Sequence, residues 1–169
     1  FFAMNPAWRP KDRLRLTYAT RGMEPMRGFP EFVQALPTLF DLYPNLEVVI
    51  AGEDRVAYGA RLPKEGSFGR WAQNLLKPWV LKGSVRFVGQ LSTTIYARLL
   101  KSSHVHCYLT RPFVASWSLL DAMASGCCIV GSDLQVVREM AHPEATLWVD
   151  HRQHELLVQG LSQALSLQS

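Results

Sequence analysis

The sequence predicts an α/β fold: a Rossmann-like, open and mostly parallel sheet of about six strands, with helices on both faces. Three observations carry this expectation. Short apolar runs rich in β-branched residues recur along the chain, as strands covered on both faces require. Amphipathic stretches with three- and four-residue spacing lie between them. The chain has 169 residues, 48% hydrophobic and only 19% charged, which suits one domain with a real core and excludes a disordered chain. Regular strand–helix alternation implies right-handed βαβ crossovers, with ligands at the carboxyl ends of the strands.

The opening FFAMNPAWRPKDR, with Pro6 and Pro10, reads as a surface linker over residues 1–13, leaving 14–169 as the domain. Leu14 to Ala19 alternates into a first strand. Phe29, Phe32, Val33, Leu36, Phe40 and Tyr43 then share one helical face, and Pro37 is expected to kink or split that helix. Leu46 to Ala51 forms a second strand. Phe68 to Leu81 is a further amphipathic run, with Trp71, Leu75, Leu76 and Trp79 on one side and Pro78 near its end. Val85 to Val88 is the third strand, and Ser92 is placed to cap a helix carrying Ile95, Tyr96, Leu99 and Leu100. Val105 to Leu109, Cys127 to Val130 and Thr146 to Val149 complete the strands. A last helix runs from Gln153 to Leu165, apolar at Leu156, Leu157, Leu161 and Leu165.

Composition excludes several functions. A net charge of +4 and a pI near 9.2 are modest, and no Lys/Arg run is dense enough to follow a nucleic-acid backbone, so no nucleic acid is expected as a partner. Cys107, Cys127 and Cys128 are odd in number and set in apolar runs, which points to free thiols in a reducing, cytoplasmic setting. No stretch approaches the roughly 18 apolar residues of a membrane span, and no signal-peptide pattern is present. Residue 1 is Phe, so the chain is expected to be a piece of a longer polypeptide. There is no G-x-S-x-G, P-loop or G-x-G-x-x-G. His104 and His106 share one strand face beside Cys107, but no further ligands gather around them, so a structural role is expected and no metal.

The segment Arg111 to Gly126, RPFVASWSLLDAMASG, is the most informative. A polar turn feeds a short apolar helix next to a buried strand, which exposes free N–H groups and the positive end of the helix dipole to an anion. Asp121, one turn further in, could accept hydrogen bonds from a ribose. Arg21 and Arg27 flank the turn before Gly28 and could clamp a diphosphate with charge-assisted hydrogen bonds, or one of them could pair with Glu24. The loop AGEDRVAYG, with Glu53 and Tyr58, could wall the same pocket, and Gly89 could let backbone approach a flat base.

RLRLTYATRGMEPMRGF, LEVVIAGED, VRFVGQLS, HVHCYLT and SWSLLDAMASGCCIVGSDLQVVREM, in that order, resemble the C-terminal half of a family 4 glycosyltransferase of the GT-B fold. The resemblance runs from Leu14 to about Val149 and is most specific at LDAMASG. It implies a donor-binding domain of a retaining, metal-independent enzyme that moves a sugar from a nucleoside-diphosphate sugar, UDP- or GDP-linked, to an acceptor hydroxyl. Arg21 and Arg27 would hold the diphosphate and stabilise the leaving group. The backbone around Val88, Gly89 and Gln90 would take the base. Val114, Ala115, Ser116 and Trp117 would lie near donor sugar and phosphate, and Asp121 on the ribose.

The family carries two glutamates separated by seven residues. Here the second is Asp121, and the position of the first is Phe113, so that sugar contact is lost or is moved to the 114–117 turn and residues such as Glu53. The resemblance further implies that acceptor binding, and any peripheral membrane association, belong to an N-terminal domain of the parent chain, with Trp8 and Trp117 facing that partner. This polypeptide alone is expected to bind nucleotide weakly without turnover. The alternative is a non-catalytic module that senses a nucleotide or docks a partner.

Overall fold

A computed structural model describes residues 9–112 and 116–168. Six parallel strands form one sheet: β1 (Leu14–Gly22), β2 (Leu46–Glu53), β3 (Val85–Gly89), β4 (Val105–Tyr108), β5 (Cys128–Ser132) and β6 (Thr146–Val149). Their spatial order is β3-β2-β1-β4-β5-β6, every pair parallel. The order reverses between β1 and β4, and a crevice opens there at the carboxyl ends of the strands.

Among the described residues seven α-helices cover the sheet: α1 (Phe29–Leu42), α2 (Phe68–Leu75), α3 (Lys77–Leu81), α4 (Thr93–Lys101), α5 (Trp117–Ala124), α6 (Gln135–Met140) and α7 (His154–Ser166). Leu14, Leu16 and Tyr18 of β1 pack with Phe29, Phe32, Leu36 and Leu39 of α1 and with Leu157 and Leu161 of α7 on one face. Leu100, Leu119, Ala122, Ile129 and Val137 form a second core with Tyr108 on the other, beneath α4, α5 and α6. The mostly parallel sheet with helices on both faces is thus the fold that the alternation predicted.

Two expectations are refined. Of the kink or split expected at Pro37, the split does not occur, and α1 continues from Phe29 to Leu42. An interior proline costs roughly 3 kcal/mol, but this helix buries Phe29, Phe32, Val33, Ala35, Leu36, Leu39 and Phe40, and that burial outweighs the loss. The single run from Phe68 to Leu81 is two helices, broken at Leu76, because Pro78 sits in the first turn of α3 and not at a helix end. The short α6 was not read from the sequence.

The strands also run further than expected, to Gly22 and Glu53. Pairing of β1 with β2 steps from Ala19↔Ala51 to Gly22↔Glu53, so β1 carries one extra residue. Pairing of β2 with β3 steps from Ile50↔Phe87 to Ala51↔Gly89, so β3 carries one too. Both β-bulges lie level with Ala51, where the strands enter the crevice.

Candidate functional site

A cavity of about 550 Å³ opens at the point where strand order reverses. The ends of β1 (Tyr18 to Arg21), β2 (Ala51 to Glu53) and β4 (Cys107, Tyr108) form its floor, and Gln90, Tyr96, Ser116, Trp117 and Ser118 its far wall. Gly52 is required where β2 reaches it. Its φ is 137°, and a Cβ there would collide with the carbonyl oxygen of Thr20 on the bulged strand.

Arg21 follows from the bulge on β1 and is exposed at the cavity wall. Arg27 comes from the short 3-10 turn Pro25–Arg27 before α1. Gly28 ends that turn in the left-handed region (φ 63°) and caps α1, and a Cβ there would lie 2.6 Å from Leu109 Cβ. The turn is pinned from below, since the Tyr18 hydroxyl donates to the Arg27 carbonyl at 2.8 Å. Arg27 Nη1 donates to Thr110 Oγ1 at 3.0 Å, and its guanidinium carbon lies 5.9 Å from the centre of the Tyr58 ring.

Among the described residues neither arginine has a carboxylate partner. Glu24, the nearest candidate in sequence, is buried, and its Oε2 accepts from the backbone N–H groups of Ala57 and Tyr58 at 3.1 and 2.9 Å. Glu53 pairs with Arg55. Two guanidinium groups therefore face the cavity with their charge uncompensated by a neighbouring carboxylate.

The α5 N-terminus supplies a third positive element. Its cap residue Ser116 makes no side-chain cap hydrogen bond. The Ser116 N–H donates to Tyr108 Oη at 2.9 Å, and Ser116 Oγ lies 2.6 Å from Ser118 Oγ, so strand β4 anchors the start of the helix at the cavity wall. Trp117, at the lip, is 81% exposed.

Arg21, Arg27, Glu53, Gln90, Ser116 and Trp117, all singled out from the sequence, line one cavity. Val88 lines a second hollow on the other side of the bulge with Arg86, Ile95 and Arg98, and Gly89 turns between the two with φ 66°. Asp121 lies one turn into α5, half-buried and off the cavity lining, and partial burial raises its carboxyl above the usual range. The Asp121 charge acts in turn on Tyr96, which does line the cavity and whose hydroxyl is pushed up chiefly by burial. Phe113, Val114 and Ala115, like Trp8, lie outside the described residues.

Sequence reasoning missed Tyr18, Thr20, Tyr96 and Tyr108. A tyrosine late in an otherwise aliphatic strand is the signal that would have found Tyr18 and Tyr108, because its hydroxyl must end beside a polar group. The histidines are structural: His104 Nδ1 accepts from the Arg15 N–H at 3.0 Å, and His106 Nδ1 lies 2.9 Å from Thr17 Oγ1. Among the described residues no three His, Cys, Asp or Glu side chains converge as metal ligands, and no helix is long and apolar enough to cross a membrane.

Comparison with known proteins agrees with this architecture. A phosphatidyl-myo-inositol mannosyltransferase of Mycolicibacterium smegmatis is 27% identical over 135 residues, covering 78% of this chain and 30% of the relative. The protein of the same name from Mycobacterium tuberculosis is also 27% identical over 135 residues, 78% of this chain and 31% of its own length. The chain thus spans less than a third of these relatives. Among solved structures, a Rickettsia africae glycosyltransferase superposes with a TM-score of 0.71 at 15% identity, over 94% of this chain and 39% of that one. Sucrose-phosphate synthase of Thermosynechococcus elongatus gives 0.71 at 18%, over 97% and 42%. An Anabaena protein solved with UDP and glucose gives 0.69 at 14%, over 92% and 41%. At these identities the structures bear on the fold alone. The family model for glycosyl transferases group 1 matches residues 6–169, on the same sheet that builds the cavity, and the chain belongs to that family.

Proposed function

We propose that this chain is the donor-binding domain of a retaining, metal-independent glycosyltransferase, with the cavity holding the nucleoside-diphosphate part of a UDP- or GDP-linked sugar. One observation carries the reading: Arg21 and Arg27 face the cavity beside the α5 N-terminus with no carboxylate partner among the described residues. Such a cluster suits two phosphates and the charge that builds on them as the glycosidic bond breaks. The Anabaena protein solved with UDP and glucose shares the fold and adds support. Gln90 and the Gly89 turn beside it would take the base, and Ser116, Trp117 and Glu53 the sugar. The resemblance assigns the ribose to Asp121, which stands behind the cavity lining and not on it. The matched region covers only 30% of the relative's length, and an N-terminal domain of the parent chain would supply the acceptor side, facing Trp117.

Titration of the 169-residue chain with UDP and GDP, with EDTA present, tests this. Binding of one of them is expected without metal, weakened about ten-fold or more by either Arg21→Ala or Arg27→Ala. If neither nucleotide binds, or both substitutions are silent, the donor-site reading falls.

A further inference from the structure

Arg27 is tied to a line of buried polar groups that does not reach the cavity. Its Nη1 donates to Thr110 Oγ1 at 3.0 Å, and that hydroxyl donates in turn to the Arg111 carbonyl, also at 3.0 Å. With its hydrogen so committed, Thr110 Oγ1 has only lone pairs to offer, and a guanidinium has only donors. The Thr110 backbone N–H donates to Ser132 Oγ at 2.9 Å, and Ser132 Oγ lies 2.9 Å from His151 Nδ1. Thr110, Ser132 and His151 are all buried, and none of them lines the cavity. They stand in order just past β4, at the end of β5 and just past β6. The line therefore crosses the carboxyl edge of half the sheet and ends on one arginine.

Burying three polar side chains side by side costs free energy unless each one finds its partners. Here the Thr110 hydroxyl is committed to Arg27 and the Arg111 carbonyl, and Ser132 links the Thr110 backbone N–H to His151 Nδ1. His151 Nε2 finds no partner among the described residues, and the one side chain held outside the core is Arg27. Burial also lowers the His151 pKa and so favours the neutral ring, whose tautomer decides which of Ser132 Oγ and His151 Nδ1 donates. A long arginine otherwise loses rotamer freedom when it binds an anion, and a guanidinium fixed beforehand does not.

We propose that Thr110, backed by Ser132 and His151, is a positioning residue for Arg27 and thereby sets the affinity of the cavity for the diphosphate part of a nucleotide. This rests on the function proposed above. The test compares UDP and GDP with uridine and guanosine, which lack the phosphates, by calorimetry on the same chain. Thr110→Val keeps the shape and removes the acceptor. It is expected to weaken the nucleoside diphosphate about five- to ten-fold, to leave the nucleoside unchanged, and to have no effect in an Arg27→Ala background. Thr110→Ser should bind as the parent does, and Ser132→Ala should weaken binding in the same sense by less, which carries the test if Thr110→Val does not fold.

Equal weakening of nucleoside and nucleotide, full additivity with Arg27→Ala, or no effect of a folded Thr110→Val overturns the proposal. A second readout needs no nucleotide: the Arg27 Nε–Hε group should be ordered by NMR relaxation in the parent chain and mobile in Thr110→Val. If neither diphosphate binds the parent chain, the functional reading fails, and the relaxation data still decide whether Thr110 holds Arg27.

Discussion

Had Glu24 paired with Arg21 or Arg27, the cavity would have lost much of its positive charge, and the sequence left that pairing open. The carboxylate turns the other way, into the backbone of the 57–58 loop, where it accepts two N–H groups. That choice does two things at once. It leaves the arginines for a ligand, and it draws Tyr58 to the Arg27 guanidinium. Glu24→Ala should free both N–H groups, raise hydrogen exchange at Ala57 and Tyr58, and lower stability by roughly 1.5–3 kcal/mol in urea unfolding, as for hydrogen bonds to a charged group. Glu24→Gln, which keeps an acceptor oxygen, should recover part of both. Unchanged exchange in Glu24→Ala would show that the loop is held by something else. None of this was legible in sequence, because a Glu three residues from either Arg says nothing of which way its side chain turns.

At the scale of the element, helix positions were legible where apolar periodicity was long, as in α1, α4 and α7. They were less so where a proline set the boundary, and α6 was missed altogether. Pro37 and Pro78 differ in context and not in chemistry: one sits in a helix that buries seven side chains, the other in a first turn where its missing N–H costs nothing. Helix α6 spans only Gln135–Met140, too short for a periodic signal. The start of α2 at Phe68 was read correctly, but not its cap, part of which is not local. Ser67 Oγ accepts from the Arg70 N–H, and Asp54, from the loop after β2, accepts from both Ser67 Oγ at 2.6 Å and the Gly69 N–H at 2.8 Å. Asp54→Ala should therefore lower the thermal midpoint, by an amount corresponding to about 1 kcal/mol. An unchanged midpoint would mean that Ser67 caps the helix alone.

For the whole molecule, the sheet and its switch point could be read in advance because parallel strands buried on both faces leave continuous apolar runs. A structural role was expected of His104 and His106, but not how far burial shifts them, and with His151 they bear on the response to acid. Burial lowers the pKa of His104 and His151, and that of His106 to about 4 from an ordinary 6.5. Below pH 6.5 the unfolded chain takes up protons that the folded chain refuses, so acid favours unfolding. For His106 the loss begins near 6.5 and grows until the pH reaches about 4, where the folded form also protonates. At pH 5 it should amount to about 2 kcal/mol relative to neutral pH. Urea unfolding at pH 7.5 and 5 should show this loss, and His106→Gln should reduce it. A flat profile would contradict a neutral, buried His106.

The paired bulges level with Ala51 have a consequence for how such a sequence can diverge. Side chains in a strand alternate, so one residue more or less reverses the side on which every later side chain emerges. The added residue in β1 falls within Ala19 to Gly22, the stretch that delivers Arg21, and the one in β3 within Phe87 to Gly89, the stretch that separates Val88 from Gln90. Drift in residue type along these stretches would alter the cavity by degrees. Deleting a single codon from either would instead turn Arg21 or Gln90 away from the cavity, leaving the core composition almost untouched. In these two stretches a change of chain length disturbs the cavity more than a change of residue type.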